Sequence, residues 1–339
     1  MTLTLLTIRA IMVAIIQDRA PQIFKDTQKN GTRFKCSDTF VRKFLHNVLR
    51  WSERRATKAA QKLPSNLEEV LTHAFLREAC VIRDYAVPAA LRVNTDQTQL
   101  VYQQGTKTTW NETGSKQVAT VGQEEKRAFT LVPSISASGV LLPMQAVYGG
   151  KTMKSCPSPN AALYDEAGSL KFRMLPSKSG NYWSTQKTME DLVNNIIAPY
   201  FKATKAELGL NNDQLSIWKI DCWSVHKSDQ FLSWMRINHP NIYVSFVPGG
   251  CTGVWQPLDV GIQRIMKLSM RRSAHRDVVK EVQDQLAKGI ADITVDTTVG
   301  TLRDRSVGWV VNAIHDLDRP DLILKVCSFF SGFIETYVY

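Results

Sequence analysis

Apolar side chains at Leu5, Ile8, Met12 and Ile15 recur at helical spacing and predict a helix with one buried face. The apolar run over residues 3–16 is interrupted by Arg9. It is shorter than the ~18 residues a membrane span needs. It also lacks a basic lead and a small-residue cleavage site, so a core helix is expected rather than a signal peptide. Phe40, Val41, Phe44, Leu45 and Val48 form a second helical stripe, with Ser37 placed to cap it. Ser52 is placed to cap a further helix over 53–63, which Pro64 stops. Two short helices joined tightly outline a helix-turn-helix. A third helix is expected over 67–83.

From residue 91 the period changes from helical to strand-like. Residues 91–96 read as a short strand ending in an acid, and residues 127–137 as a strand. Ser138-Gly139 reads as a turn, and 140–148 as the hairpin partner. Residues 151–183, rich in Pro, Ser, Asn and Gly, read as an irregular excursion. Helix follows over 188–208, strand over 215–221, helix over 228–237, strand over 242–247, and a long helix from about Pro257. A strand hairpin followed by strand, helix, strand and helix argues a mixed α/β sheet with helices on its faces. The expected division is a helical, partial helix-turn-helix region at 1–84, a catalytic core at 85–290 and a C-terminal helical tail at 291–339.

Charge narrows the partners. The 339 residues hold 42 Lys and Arg against 31 Asp and Glu, a net charge of +11. Such a surplus favours a polyanion, nucleic acid or an anionic membrane surface. On the helix over 53–63, Arg54, Lys58 and Lys62 fall on one face with Arg55 beside them. That row can follow a phosphate backbone or be a solvated face. Beyond Asp259, Lys267 and Arg271, then Arg272 and Arg276, repeat the four-residue spacing. The six cysteines form no CxxC pair and no Cys/His cluster for zinc; they read as reduced, mostly buried thiols.

Three aspartates stand at element ends: Asp96 and Asp221 close apolar strands and Asp259 opens a helix. Sites in open α/β sheets form beyond the carboxyl ends of strands. Carboxylates converging there suit a hard divalent cation. Two such ions roughly 3.5–4 Å apart would clamp the attacking and leaving oxygens of a phosphoryl displacement. Taken singly, each acid also has an ordinary reading as a turn or cap residue.

The segments N-T-D-Q-T at Asp96, W-K-I-D-C-W-S-V-H at Asp221 and W-Q-P-L-D-V-G at Asp259 resemble the three acidic motifs of the DDE superfamily endonucleases. The resemblance is closest to the pogo-like transposases related to centromere protein B and jerky. The hairpin L-V-P-S-I-S-A-S-G-V-L-L-P-M-Q-A-V-Y-G-G-K-T is similar to the one between that family's first two acids. The match runs from about residue 92 to 267, in order, and Q-P-L-D is its most specific part.

The resemblance implies an RNase H-like core and divalent-metal catalysis, with Mg²⁺ or Mn²⁺, two ions, held by Asp96, Asp221 and Asp259. It also implies cut-and-paste movement of DNA. His226 and Gln256 are candidates for a supporting shell around the acids. The expected partner is double-stranded DNA, with no membrane; a nuclear location and a homodimer go with this reading. Two departures stand out. Cys222 occupies a position where many members carry Asn, and one helix-turn-helix precedes the core instead of two. A transposase-derived DNA-binding protein without catalysis is the alternative, and a nuclease for RNA–DNA hybrids on the same fold is a third.

Overall fold

The computed structural model describes residues 5–27, 31–51, 63–102, 127–290, 292 and 294–335. The chain divides into two compact units, Met1–Ala60 and Gln61–Tyr339.

The first unit holds α1 (Leu5–Arg19), α2 (Gln22–Lys25) and α3 (Asp38–Asn47). Ser37 caps α3 as expected, its hydroxyl accepting the Phe40 N–H at 3.3 Å. Arg9 Nη1, 2.8 Å from Asp38 Oδ1, joins α1 to α3. On the expected core face of α1, Ile8 and Met12 are half-buried and Ile15 is 51% exposed. Among the described residues of this unit Val41 is the one buried apolar side chain, so little packs against the stripe. The expected second helix of the helix-turn-helix, with Ser52, Arg54, Arg55, Lys58 and Lys62, lies outside the described residues.

The second unit opens with α4 (Leu67–Asp84), close to expectation. Next come β1 (Arg92–Thr95), β2 (Thr98–Val101), β3 (Ala128–Val132), β4 (Ser134–Ser136) and β5 (Gln145–Tyr148). β1 and β2 are two halves of one strand, as are β3 and β4. Thr95 faces Ser134 and Thr98 faces Leu131, so the antiparallel register runs unbroken past the interruption. The break falls at Pro133, which has no N–H to donate but accepts from the Asp96 N–H at 3.2 Å.

Beyond β5 lie α5 (Tyr164–Ser169), β6 (Arg173–Pro176), α6 (Gln186–Leu192), α7 (Ala198–Glu207), β7 (Ser216–Ile220), α8 (Asp229–Asn238) and β8 (Ile242–Phe246). β5 pairs antiparallel with β3, β1 pairs parallel with β7, and β7 pairs parallel with β8. Three antiparallel strands continued by two parallel ones, with the first strand central, is the RNase H-like order. β6 extends it beyond β5.

Helices cover both faces, as a sheet buried on both sides requires. One face carries Val93, Trp218 and Ile220 under α6, α7 and α8. The other carries Phe129, Leu131 and Ala146. It lies under α10 (Gln263–Ala287), α11 (Val299–Leu317) and α12 (Pro320–Glu335), the short α9 (Thr252–Trp255) preceding them.

Three expectations need correction. The excursion over 151–183 contains a helix and an edge strand, β6, whose Arg173 holds Asp191 through two hydrogen bonds of 2.7 and 2.6 Å. The hairpin return is a strand only over Gln145–Tyr148, with Ile135 and Leu141 forming a single bridge before it. The long helix from Pro257 begins as a π-helical turn, Leu258–Ile262, before α10 proper. The C-terminal segment is helical, and α11 is core: Val307, Val310, Val311 and Ala313 are fully buried.

Candidate active site

Strand register brings the first two acids together. Asn94 pairs with Lys219 on the parallel strands β1 and β7. Asp96 and Asp221 each follow two residues later on the same pleat face, so they are cross-strand neighbours, where adjacent strands lie about 4.8 Å apart. The other face of β1 is held by Thr95, whose Oγ1 accepts from Trp218 Nε1 at 2.8 Å and meets Ser134 Oγ at 2.7 Å.

Asp259 arrives from the π-turn. Two backbone anchors seat that turn on β1: the Leu258 N–H donates to Asn94 Oδ1 at 3.2 Å, and Gln256 Nε2 donates to the Thr95 carbonyl at 3.3 Å. π-turns recur where a helix must aim a side chain at a site. Asp96 and Asp259 lie close enough for their carboxyl groups to share a hydrogen bond.

The three carboxyl groups sense one another. Asp96 is 7% exposed. Burial, then the charges of Asp259 and Asp221, push its carboxyl well above the ordinary carboxylate range. Burial raises Asp259 as well, opposed by its hydrogen bond with Asp96 and by Lys267. Buried like charges disfavour joint ionisation, and a shared proton relieves them.

On α10, Gln263 Nε2 donates to Asp96 Oδ2, and Lys267 Nζ donates to Gln263 Oε1 at 2.8 Å. Residues 259, 263 and 267 thus form one helical row from acid to amide to cation. Burial lowers the Lys267 pKa.

His226 is buried behind Asp221. Its Nε2 lies 3.1 Å from Gln97 Nε2, an amide donor that also meets Met189 Sδ, so Nε2 accepts and Nδ1 carries the proton. Nδ1 is 3.2 Å from the Asp221 carbonyl and 2.7 Å from Asp221 Oδ1. Its N–H is directed to the carbonyl, and Oδ1 remains a buried acceptor without a hydrogen bond. Trp223 stacks edge-on against the same ring at 5.4 Å. Cys222, at the position where the resembled family has Asn, turns its thiol to the Val247 carbonyl at 2.8 Å.

These residues fit a hard divalent cation by donor chemistry. The set is all carboxylate oxygen, and the three acids raise one another's affinity for positive charge by crowding and burial. As placed, among the described residues, no three His, Cys, Asp or Glu stand in ligand geometry. Asp96 gives one oxygen to Gln263.

The remaining predicted residues are dispersed. Gln256 is fully buried and acts through the Thr95 carbonyl. Arg271, Arg272 and Arg276 are exposed along α10, Arg276 donating to Ser273 Oγ at 3.0 Å. Lys267 and Arg271, with His275 and Arg305, rim a cavity of about 600 Å³ floored by Leu100, Tyr102, Phe129, Met270 and Trp309. Trp255 packs edge-on against Phe75 at 6.4 Å, with Lys219 Nζ 5.4 Å from its ring centre. Cys156, Cys251 and Cys327 are buried, as expected, whereas Cys80 is exposed.

Sequence reasoning missed Asn94, Gln97 and Gln263. Spacing holds a signal for two of them: Asn94 precedes Asp96 by one strand period, and Gln263 follows Asp259 by one helical turn.

No protein-family model matches the chain, and no curated protein matches it. Solved structures do match. The Mos1 strand transfer complex has a TM-score of 0.42 at 9% identity, covering 97% of this chain and 76% of that one. The Mos1 mariner paired end complex with Mn has a TM-score of 0.44 at 10% identity, covering 97% and 77%. The catalytic domain of Mos1 mariner transposase has a TM-score of 0.33 at 12% identity, covering 83% and 98%. Overlaps this loose carry no chemistry from those proteins to this one.

Proposed function

We propose that the chain is a DNA endonuclease and strand-transfer enzyme of the DDE transposase type, dependent on Mg²⁺ or Mn²⁺. The carrying observation is the registered placement of Asp96 beside Asp221, with Asp259 close enough to Asp96 for their charges to interact. The three acidic motifs of the sequence, in order and around these residues, support the same reading. The pogo-like branch, a nuclear location and action as a homodimer belong to this proposal.

Divalent cations bound there would supply charge neutralisation and an activated water or 3′-hydroxyl for in-line attack on a DNA phosphodiester. The protein's task is placement. Asp96, Asp221 and Asp259 would be the ligands. Gln263 fixes the orientation of Asp96, and His226 fixes the backbone of Asp221. Lys267 and Arg271 face a phosphate with positive charge beside the acids, and Arg272 and Arg276 extend the cationic row. Arg54, Arg55, Lys58 and Lys62 are proposed as phosphate contacts on sequence grounds.

The test is nicking of duplex DNA by the full chain with Mn²⁺ or Mg²⁺. Asp221→Asn abolishes cleavage and leaves DNA binding intact. Equal metal-dependent cleavage by both proteins would discard the site. A second reading, a DNA-binding protein without catalysis, is favoured by the lack of ligand geometry as the acids stand. Its mark is salt-sensitive DNA binding with no cleavage under either metal.

A further inference from the structure

We propose that Asn94 is the positioning residue that holds the three acids in one constellation, an inference that rests on the metal-dependent reading above. Its amide has one donor side and one acceptor side, and each is spent on a different acid-bearing segment. Nδ2 donates to the Lys219 carbonyl at 3.2 Å, two residues before Asp221. Oδ1 accepts from the Leu258 N–H at 3.2 Å, one residue before Asp259. Asn94 itself stands two residues before Asp96. One buried side chain therefore bonds, or belongs to, the backbone of all three segments that carry the carboxylates.

The choice of residue follows from chemistry. The Lys219 carbonyl demands a donor and the Leu258 N–H demands an acceptor, at the reach of one short side chain. The Asn amide offers both on two separate atoms, so it can bridge two segments at once. Leu would fill the volume and satisfy neither. Asp would keep the acceptor for Leu258 but set an oxygen against the Lys219 carbonyl.

The surroundings hold β7 in the same place from the other end of Lys219. Its Nζ is 2.7 Å from Glu78 Oε2 on α4 and lies over Trp255, four residues before Asp259. Residues that orient metal ligands without touching the ion typically govern 10–100-fold of affinity. Asn94 acts on the ligands through their backbone, so its loss changes where the carboxylates stand, not how many there are.

Titrating Mn²⁺ into the full-length protein by calorimetry tests this, using wild type, Asn94→Ala, Asn94→Asp and two references, Asp221→Asn and Leu192→Ala. Leu192 is buried under the opposite face of the sheet, and its truncation lowers stability without touching the acids. The expectation is a Mn²⁺ affinity reduced ~10–100-fold in Asn94→Ala and unchanged in Leu192→Ala.

Asn94→Asp is decisive because charge and geometry predict opposite signs. An added carboxylate beside the site tightens a cation by attraction alone, whereas displacement of β7 weakens it. Weaker binding supports positioning, and equal or tighter binding overturns it. Should Asn94→Ala fail to fold, Asn94→Asp, closest in size, decides alone. Wild type and Asp221→Asn binding Mn²⁺ equally would sink the metal-dependent reading and this proposal with it. Loss in Asp221→Asn but not in either Asn94 variant sinks this proposal alone.

Discussion

Lys267 reaches Asp96 through Gln263: its Nζ donates to Gln263 Oε1 at 2.8 Å, and Gln263 donates in turn to the carboxyl. The cation thereby offsets acid repulsion without occupying an acid oxygen. Lys267→Met removes the charge and leaves the Gln263 carbonyl oxygen without its donor. Metal-free stability should fall by about 1–3 kcal/mol, the scale of a hydrogen bond to a charged group. Added Mn²⁺ should shrink that loss, because the ion takes over neutralisation. Urea unfolding of both proteins, with chelator and with Mn²⁺, checks the two halves separately.

Asp96→Asn should stabilise the protein while destroying its metal response. The Asn amide accepts from Gln263 and offers Asp259 an N–H. In metal-free wild type, Asp96 and Asp259 hold protons more firmly when folded than when unfolded. Their raised values mean that stability is fully present below about pH 4, the unfolded carboxyl value. It is lost as pH rises through the folded values. Asp96→Asn flattens that slope and raises stability at neutral pH. Melting curves from pH 4 to 8 in chelator should show the wild type declining more steeply. Mn²⁺ should raise the wild-type midpoint and leave the variant's unchanged.

Much of this was legible in the sequence, and the misses share a cause. β1 and β7 are readable because apolar runs end in an acid. Their adjacency is not, because register between segments over a hundred residues apart is a tertiary property. Ser37 and Ser228 cap their helices as local rules require. β6 hides because R-M-L-P at an edge shows no alternation and ends in Pro176. The apolar stripe of α1 predicts a helix correctly but says nothing about whether a partner covers Ile15. Spacing marks Asn94 as sharing a face with Asp96, but not its role, since both of its bonds end on other segments. The 267–271 spacing reveals a basic row, yet not that its first member spends a hydrogen bond on Gln263.

Buried Glu78 and half-buried Lys219 pair at 2.7 Å, their side chains 9% and 13% exposed. Removing one partner strands the other, so Glu78→Ala should cost about 3–5 kcal/mol. Replacing both by apolar side chains, Glu78→Leu with Lys219→Met, should cost much less than the single change. The Asn94 bond survives the double change, because it uses the Lys219 carbonyl and not its amine. Chemical denaturation of the three proteins decides. A double variant as unstable as Glu78→Ala would show that the ion pair contributes more than mutual compensation.

Gly261 sits inside the π-turn against α12. A Cβ there would meet Val326 Cγ2 at 2.5 Å and Cγ1 at 3.0 Å. Gly261 has no left-handed backbone angle, so close approach, not conformation, demands glycine. Gly261→Ala must push α12 away or rotate the turn that carries Asp259. Overpacking of this kind costs about 1–3 kcal/mol. Val326→Ala removes both offending methyl groups, so the double variant should recover most of that loss although each single change destabilises. A coupling near zero in the double-mutant cycle would mean that the turn adjusts on its own. Mn²⁺ binding then locates the displacement: loss in Gly261→Ala that returns in the double variant places the shift at Asp259.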